Sequence, residues 1–286
     1  MPHFTGRIDL VALDIDGTLL TKTKSLSPFT TAEIRRIGAE HGIPVVLMSS
    51  RMPTAIERIR DALHASPYYA AYSGALTCLA RPEGDERLFE RVLSKDVVEL
   101  AVALAAEHHL NVGLYADRHW WTSGGDHWAL REVRDTGVWP EVTATGRPRA
   151  IPDDQVDHVH KVALRGEPGK LAAAAHALRD AFEHSVDVND ANDNMAEVTP
   201  ADGGKLRGLS AICEHAGIAL EHVLAVGDGG VDVETIRAAG WGVAVQNATP
   251  ELIEAARERT LSNDDDGVGL ILRKYFPTAE AVLDFS

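Results

Sequence analysis

The chain has 286 residues, 45% hydrophobic and 25% charged, a composition typical of a globular protein with about two domains. Its formal net charge of -15 argues against a nucleic-acid partner and against an anionic membrane surface, because both need clustered lysine and arginine. No apolar run approaches the roughly 18 residues that span a bilayer, residues 1–9 lack the pattern of a secretory leader, and the two cysteines are far apart. The expected compartment is therefore the cytoplasm.

The N-terminal part alternates buried strands with helices. The apolar run at residues 8–13 is rich in β-formers and ends at Asp14, which predicts a buried strand. Ser27 and Pro28 supply an N-cap and a first-turn proline for a helix that ends near His41. The same rhythm predicts a strand at 44–48, a helix at 53–63 and a strand at 69–72. This alternation indicates a parallel sheet with crossover helices.

The rhythm changes in the middle of the chain. Ser94 is predicted to cap a helix that runs to about residue 109. The following elements are predicted strands at 112–115 and 120–122, a helix at 126–135, a strand at 158–164, a helix at 169–182, and strands at 186–188 and 195–198. The arrangement of helix and paired strands is repeated here, which predicts a separate α+β domain.

The first rhythm resumes near Lys205. The predicted elements are a helix at 205–215, a short buried strand at 223–226, a further helix, a strand at 242–245 and a last helix at 251–257. The predicted fold class is therefore α/β. A Rossmann-like parallel-sheet core, at residues 1–84 and 192–286, is interrupted by an inserted α+β cap domain at residues 85–191.

Two aspartates stand where the first predicted strand ends, in the string Asp14-Ile15-Asp16-Gly17-Thr18. Ligand sites in open parallel sheets lie at the carboxyl ends of the strands. Two carboxylates at such a place can divide labour, one attacking phosphorus and the other giving a proton to the leaving group. A solvated Asp-Gly turn explains the same string equally well, so the pair alone decides nothing.

Three further polar residues stand at strand or helix ends. Ser49 follows the second strand, where its hydroxyl and exposed backbone N–H groups can bind phosphate oxygens. Lys205 begins a helix after two glycines, and an ammonium group there can neutralise a phosphate. Asp228 ends a later strand and can complete an oxygen-rich Mg²⁺ site with Asp14. Taken singly, a helix cap, a solvated lysine and a loop aspartate explain these residues as well or better.

In this order and at these strand ends, the residues resemble the four motifs of the haloacid dehalogenase superfamily. The nearest branch is the Cof-type sugar-phosphatase group, which carries a large C2-type cap between the second and third motifs. The resemblance covers nearly the whole chain, and its most specific parts are residues 14–20 and the tail at 261–268. Weaker parts lie at 45–51, 73–75, 160–161, 205, 227–228 and 246–248.

The resemblance implies a Mg²⁺-dependent phosphatase that acts on a small phosphorylated metabolite, with a sugar phosphate as the expected class. Asp14 would be the nucleophile, and Asp16 would act as general acid and then as general base. The implied Mg²⁺ ligands are Asp14, the backbone carbonyl of Asp16, and Asp228. The residues implied to bind phosphate are Ser49, Ser50 and Lys205, and those implied to support the site are Arg51, Asp232 and Asn247.

The sequence departs from the family pattern at three places. Val231 stands where the fourth motif has asparagine, which removes a polar contact. Ser49-Ser50 replaces the usual Thr-Gly but keeps the hydroxyl, and Ser73 stands where asparagine is common. Two alternatives to a phosphatase stay open. One is a phosphomutase that uses the same nucleophile, and the other is a non-catalytic regulator that binds a phosphorylated metabolite.

The inserted domain carries candidates for substrate recognition. Trp121, Trp128 and Arg131 are predicted to set specificity, because indole rings suit sugar rings and guanidinium groups bind anions. Packing within the cap and a solvated helix face explain them equally well. The expected site lies between core and cap, whose opening and closing would admit substrate and exclude water. The expected assembly is a monomer or a small homo-oligomer.

Overall fold

The computed structural model describes residues 6–122, 124–142 and 156–278, and the strands there form two sheets. The first sheet contains β1 (Leu10–Asp14), β2 (Val45–Met48), β3 (Tyr68–Ala71), β4 (Leu76–Leu79), β5 (Glu86–Glu90), β12 (Val223–Gly227), β13 (Trp241–Ala244) and β14 (Glu258–Arg259). The second sheet contains β6 (Asn111–Ala116), β7 (His119–Thr122), β8 (Glu141–Val142), β9 (Lys161–Arg165), β10 (Val186–Asn192) and β11 (Met195–Pro200). We call the part that holds the first sheet the core and the part that holds the second sheet the insert.

Helices accompany both sheets. Those of the core are α1 (Pro28–His41), α2 (Pro53–Leu63), α6 (Lys205–Ala216), α7 (Val233–Ala238), α8 (Pro250–Ala255) and α9 (Gly267–Tyr275). Those of the insert are α3 (Lys95–His108), α4 (His127–Thr136) and α5 (Pro168–Ala181). Helix α1 begins and ends as its sequence predicts, since the Ser27 hydroxyl accepts the N–H of Thr30 at 3.3 Å and Gly42 adopts φ of 64°. None of the described helices has the length and apolar character of a membrane-spanning segment.

The strand order of the core brings three predicted site residues to one edge. It is β14-β13-β12-β1-β2-β3-β4-β5, and β12, β1, β2 and β3 run parallel. Strand β1 is buried along its whole length, which its apolar sequence allows. Because the carboxyl ends of parallel strands meet at one edge, Asp14, Ser49 and Asp228 are neighbours there.

The insert sheet has the order β10-β11-β9-β6-β7-β8, with β9 in its interior. Alternate side chains of a strand point to opposite faces. Val162 and Leu164 therefore join the insert's own hydrophobic cluster, on the face that α3 and α5 cover. Lys161 and Arg165 belong to the opposite face, which looks toward the core. The insert thus presents charged strand residues to the core.

The α/β class with an inserted α+β domain is confirmed, but the boundaries differ from those predicted. Strand β5 pairs within the first sheet, while β10 and β11 pair within the second, so the chain crosses near residues 91 and 201 rather than at 84/85 and 191/192. The antiparallel hairpin of β4 and β5 and helix α9 were not predicted. Strand β4 has four residues and β5 is only half buried, so neither shows a strong periodic pattern.

The two crossing segments contact each other. Arg91 Nε and Asp202 Oδ2 form an ion pair at 2.6 Å, which joins the outgoing segment to the returning one. Gly74 adopts φ of 95°, and a Cβ atom there would lie 2.2 Å from the carbonyl oxygen of Gly204. The turn after β3 therefore packs directly against the returning segment, and only glycine permits this approach.

Candidate active site

Asp14 lies at the middle of the core's carboxyl edge and is covered by protein. Lys205, the first residue of α6, donates hydrogen bonds to Asp14 Oδ1 and, at 2.6 Å, to Asp232 Oδ1. Asp14 is 8% exposed and Lys205 is 2% exposed. The second oxygen, Asp14 Oδ2, has no hydrogen-bond partner among the described residues. Burying such an oxygen lowers the stability of the folded protein unless a further ligand binds it.

Asp228 joins this group from the neighbouring strand end. One oxygen from each of Asp14, Asp228 and Asp232 lies within 4.8 Å of the others. Thr18 Oγ1 donates to Asp228 Oδ1 at 2.8 Å. A Cβ atom on Gly17 would lie 2.3 Å from Asp228 Oδ2, so glycine is required where the loop after β1 meets this carboxylate. The aspartates of the first and fourth predicted motifs are therefore brought together.

The donor set fits a hard divalent cation, because Mg²⁺ prefers carboxylate oxygens and water in octahedral geometry. Asp14 Oδ2 is an available ligand atom. Asp232 is already engaged, since Oδ1 accepts from Lys205 and Oδ2 accepts the backbone N–H of Gly229 at 3.0 Å. Asp14 and Asp228 could therefore bind the ion, while Asp232 holds Lys205 and the loop after β12.

Burial dominates the electrostatics of this group. Burial raises the pKa of Asp14 well above its usual range, Lys205 opposes this, and Asp232 and Asp228 reinforce it. Burial also raises the pKa of Asp228. Burial alone would lower the pKa of Lys205, but Asp14 and Asp232 raise it above its usual range. Three carboxyl groups thus share one ammonium group, an arrangement that favours the binding of a cation.

Asp16 is paired with two cations. Arg51 Nε and Nη2 donate to its two oxygens at 2.6 and 2.8 Å, and Lys24 Nζ donates at 2.6 Å. Burial alone would raise the pKa of Asp16, but Arg51 and Lys24 lower it to about 2. Asp16 is therefore an ionised carboxylate in this arrangement. A general acid must hold a proton, so the role implied for Asp16 requires it to leave Arg51 first.

The second predicted motif forms a tight loop after β2. Ser49 is 1% exposed, and its carbonyl accepts the N–H of Ser73 at 2.8 Å. The N–H of Arg51 donates to Ser49 Oγ at 3.1 Å. The carbonyl of Ser50 accepts from Lys161 Nζ at 2.8 Å. The core thus holds the loop on one side, and the insert holds it on the other.

A cavity of about 390 Å³ lies between the core and the insert. Its core wall is formed by Asp16, Gly17, Lys24, Ser50 and Arg51. Its insert wall is formed by Trp128, Arg131, Glu132, Asp135, Thr136, Lys161, Arg165, Met195 and Glu197. Asp14 is not among the residues that line it, whereas Asp16, Lys24 and Arg51 are. Most of these residues are charged, and both signs are present on the insert wall, so the cavity favours a polar ligand.

A larger groove, of about 710 Å³, lies beside α2, β4 and β5. It contains none of the predicted site residues, and its charged side chains include Arg118, which forms an ion pair with Glu57. By size alone, this groove would be chosen as the candidate substrate site. We choose the smaller cavity instead, because the predicted site residues Asp16, Ser50 and Arg51 line it.

The structure places Trp121 away from the cavity, contrary to its predicted role in specificity. Trp121 is 4% exposed and belongs to the hydrophobic cluster of the insert, on the face away from the core. Its neighbour Trp120 points to the opposite face, as alternation along β7 requires, and stacks on Tyr115 with the ring centroids 5.5 Å apart. Trp128 and Arg131, the other two candidates of the insert, do line the cavity.

Several cavity residues were not identified as site residues from the sequence. Lys161, Arg165 and Glu197 come from β9 and β11, and Lys24 comes from the loop after β1. Arg165 Nη2 donates to Glu132 Oε2 at 2.7 Å. The available signal was a charge at each end of the otherwise apolar strand 161–165, because a buried strand accommodates charges only where partners exist.

Asn247 and the tail hold the first motif. Asn247 Nδ2 donates to the carbonyl of Gly17 at 2.7 Å, and Asn247 Oδ1 accepts the N–H of Asn263 at 3.0 Å. Asn263 Nδ2 donates to the carbonyl of Leu20 at 2.7 Å. The amide donor of Asn247 is therefore committed to the loop at 17–20. Val231 is 38% exposed, so its side chain is not packed beneath the loop after β12.

Known proteins resemble this chain over almost its whole length. The family model for haloacid dehalogenase-like hydrolases matches residues 11–272. A putative phosphatase of Haemophilus influenzae is 30% identical, over 92% of this chain and 97% of that protein. A 5-amino-6-(5-phospho-D-ribitylamino)uracil phosphatase of Bacillus subtilis is 24% identical, over 92% and 96%. A solved haloacid dehalogenase-like hydrolase from Bacteroides thetaiotaomicron has a TM-score of 0.84 and 27% identity, over 94% of this chain and 100% of that one.

Proposed function

The chain belongs to the haloacid dehalogenase-like hydrolase family, and we propose that it is a Mg²⁺-dependent phosphatase whose substrate is a small phosphomonoester of the sugar-phosphate class. The phosphatase activity is supported by relatives that are named as phosphatases. The geometry of the site supports the proposed metal, the proposed substrate class and the proposed roles of the residues. The cytoplasmic location and the monomeric or small homo-oligomeric state that the sequence favours remain predictions.

The environment of Asp14 carries this proposal. Its Oδ2 atom is buried and has no hydrogen-bond partner in the described part of the chain, while Lys205 neutralises the other oxygen. In the first step a carboxylate oxygen of Asp14 bonds to phosphorus, the bond from phosphorus to the leaving oxygen breaks, and Asp16 gives that oxygen a proton. In the second step a water oxygen attacks the phosphorus of the aspartyl-phosphate, Asp16 accepts the water proton, and Asp14 is released.

Asp14 and Asp228, with the backbone carbonyl of Asp16, are the proposed Mg²⁺ ligands. When bound, Mg²⁺ supplies positive charge that opposes the negative charge of phosphate and carboxylates. Lys205 would neutralise a phosphate oxygen on the other side of Asp14. Phosphoryl transfer depends on such positioning and neutralisation more than on elaborate chemistry.

A substrate phosphate would also change the pairing of Asp16. Arg51 presents two N–H donors in a fork, the geometry that binds carboxylate or phosphate. A phosphate that takes the place of the Asp16 carboxylate on Arg51 would therefore free Asp16 to receive and transfer a proton.

The cavity supports a polyhydroxylated leaving group. Its insert wall alternates donors with acceptors, as in the Arg165–Glu132 and Lys161–Glu197 pairs, and it includes the indole of Trp128. Hydroxyl groups both donate and accept, and indole rings pack on sugar faces. The Bacillus subtilis relative acts on a phosphate carried by a ribityl chain, a polyhydroxylated group of this kind.

The test of this proposal is phosphate release from a small aryl phosphate and from a panel of sugar phosphates, with Mg²⁺ and after chelation. We expect turnover that needs Mg²⁺ and prefers sugar phosphates. Asp14→Asn should lower turnover to background, because the amide cannot act as the nucleophile. Asp180→Asn makes the same change on an exposed helix face, where the Asp180 side chain is 66% exposed, and should leave turnover unchanged.

Three outcomes would contradict the proposal. Turnover close to wild type in a folded Asp14→Asn protein would exclude Asp14 as the nucleophile. Binding of phosphorylated sugars without phosphate release would favour the regulator, and interconversion of sugar phosphates with little release would favour the phosphomutase.

A further inference from the structure

Lys161 is a buried cation with a complete set of partners. It is 2% exposed, at the start of β9. Its ammonium group donates to Glu197 Oε1 at 2.6 Å and to the carbonyl of Ser50 at 2.8 Å, and it lies 4.5 Å from the centroid of the Tyr115 ring. An ammonium group has three donors, and a tyrosine ring at this distance is a cation–π partner. Lys161 therefore has three partners for three donors although it borders the cavity.

The three partners belong to different parts of the molecule. Tyr115 lies directly opposite Lys161 on β6, and Glu197 lies on β11, the other neighbour of β9. Both move with the insert. Ser50 belongs to the core, so the bond to its carbonyl joins the two parts. If the insert moves away, Glu197 stays beside Lys161, which avoids the large cost of a buried charge without a partner.

The Ser50 carbonyl is mechanically connected to the Ser49 hydroxyl. The carbonyl of Ser50 and the N–H of Arg51 belong to one planar peptide unit, so fixing the carbonyl also fixes the direction of the N–H. That N–H donates to Ser49 Oγ at 3.1 Å. With its lone pair engaged in this way, the hydroxyl can donate its own hydrogen to a phosphate oxygen. The Lys161 contact thus reaches a proposed phosphate-binding group through one rigid unit.

We propose that Lys161 is a positioning residue that couples the seating of the insert on the core to the orientation of the Ser49 hydroxyl. This inference rests on the proposed phosphatase function. Lys161 does not touch the reacting atoms. It acts through the peptide between Ser50 and Arg51, which it holds in place only when β9 lies against the loop after β2. Seating of the insert would then complete the phosphate-binding loop as well as exclude water from the cavity.

The test compares Lys161→Met with wild type on a small aryl phosphate and on the best sugar phosphate. A positioning role predicts that kcat/KM falls by a similar factor on both, roughly ten- to hundredfold for one lost charge-assisted bond. Inhibition by inorganic phosphate should weaken as well. Lys161→Arg keeps the charge and the donors, so it should recover part of the loss.

Controls separate this role from others. Lys170→Met removes a cation from the exposed start of α5, where its side chain is 46% exposed, and should change nothing. If Lys161→Met folds poorly, adding Glu197→Gln removes the stranded carboxylate, and the same loss of kcat/KM is expected in the folded double variant. Unchanged kcat/KM in a folded variant would overturn the proposal. A loss confined to the sugar phosphate would also overturn it, because that pattern indicates direct substrate contact.

Failure of the proposed function has a different signature. Wild-type protein would then release no phosphate from any substrate. The coupling would still be measurable as weaker binding of inorganic phosphate to Lys161→Met than to wild type, in the presence of Mg²⁺ and by titration calorimetry. Equal binding, or no binding by either protein, would overturn the coupling.

Discussion

The core and the insert each contain a buried lysine that forms an ion pair with carboxylate groups, and the two lysines differ in where their partners lie. Lys205 donates to Asp14 and Asp232, and all three residues belong to the core. Lys161 donates to Glu197 within the insert and to Ser50 across the boundary. From this comparison we propose that the two lysines have different roles. The charge of Lys205 would serve the chemistry within the core, while that of Lys161 would serve the packing of the insert on the core.

Removal of the core lysine should have the largest effect. Lys205→Met leaves Asp14 and Asp232 without their cation, so we expect kcat to fall roughly 10²- to 10³-fold on every substrate, the range seen when one electrostatic donor is lost. Steady-state kinetics on the aryl phosphate and the sugar phosphate panel measure this. Activity within about tenfold of wild type, in a protein shown to be folded, would mean that Lys205 has only a structural role. The proposed difference in role between Lys205 and Lys161 would then be wrong.

A smaller and opposite effect is expected at Val231, also in the core. Valine cannot donate a hydrogen bond, its side chain is 38% exposed, and the amide of Asn247 is occupied by Gly17. Val231→Asn should therefore restore a polar contact and raise kcat/KM by roughly tenfold, equally on all substrates. Val231→Ala serves as the control, because it shortens the side chain without adding an amide. Equal or lower kcat/KM in folded Val231→Asn would show that no contact is missing.

The smallest effect on rate is expected on the insert wall of the cavity. Trp128→Ala and Arg131→Ala should change the ranking of sugar phosphates by a few-fold to about tenfold, with little change on the aryl phosphate, because only the larger leaving group reaches them. Trp121→Ala is the matched comparison. It opens the hydrophobic cluster of the insert and should cost about 3–5 kcal/mol of stability while the ranking stays the same. A ranking that moves with Trp121 rather than Trp128 would reverse the assignment of the two faces.

Most of the core, and the order of its site residues along the sheet edge, could be predicted from the amino-acid sequence. Hydrophobic periodicity and helix caps are local, so strands β1, β2 and β12 and helix α1 could be predicted from short windows of sequence. Once the strands are parallel, their carboxyl ends must share one edge. The meeting of Asp14 with Asp228 therefore required no knowledge of side-chain packing.

The partner of each charged residue could be identified only from the packing of the folded chain. Asp16 is two residues from Asp14, yet its cations are Lys24 and Arg51, which come from two separate loops. The pairing of Lys161 with Ser50 joins residues 111 positions apart. Periodicity shows that a residue is buried but not which residue it contacts across a domain boundary, because that depends on how the two sheets pack against each other.

The choice between Trp120 and Trp121 shows the same limit on a smaller scale. Both are buried on a short strand, so composition cannot distinguish them. The register of β7 on β6 assigns Trp120 to the side of Tyr115 and Trp121 to the insert's own core. A shift of one residue would exchange the two faces, and this register is set by pairing between strands rather than by either strand alone.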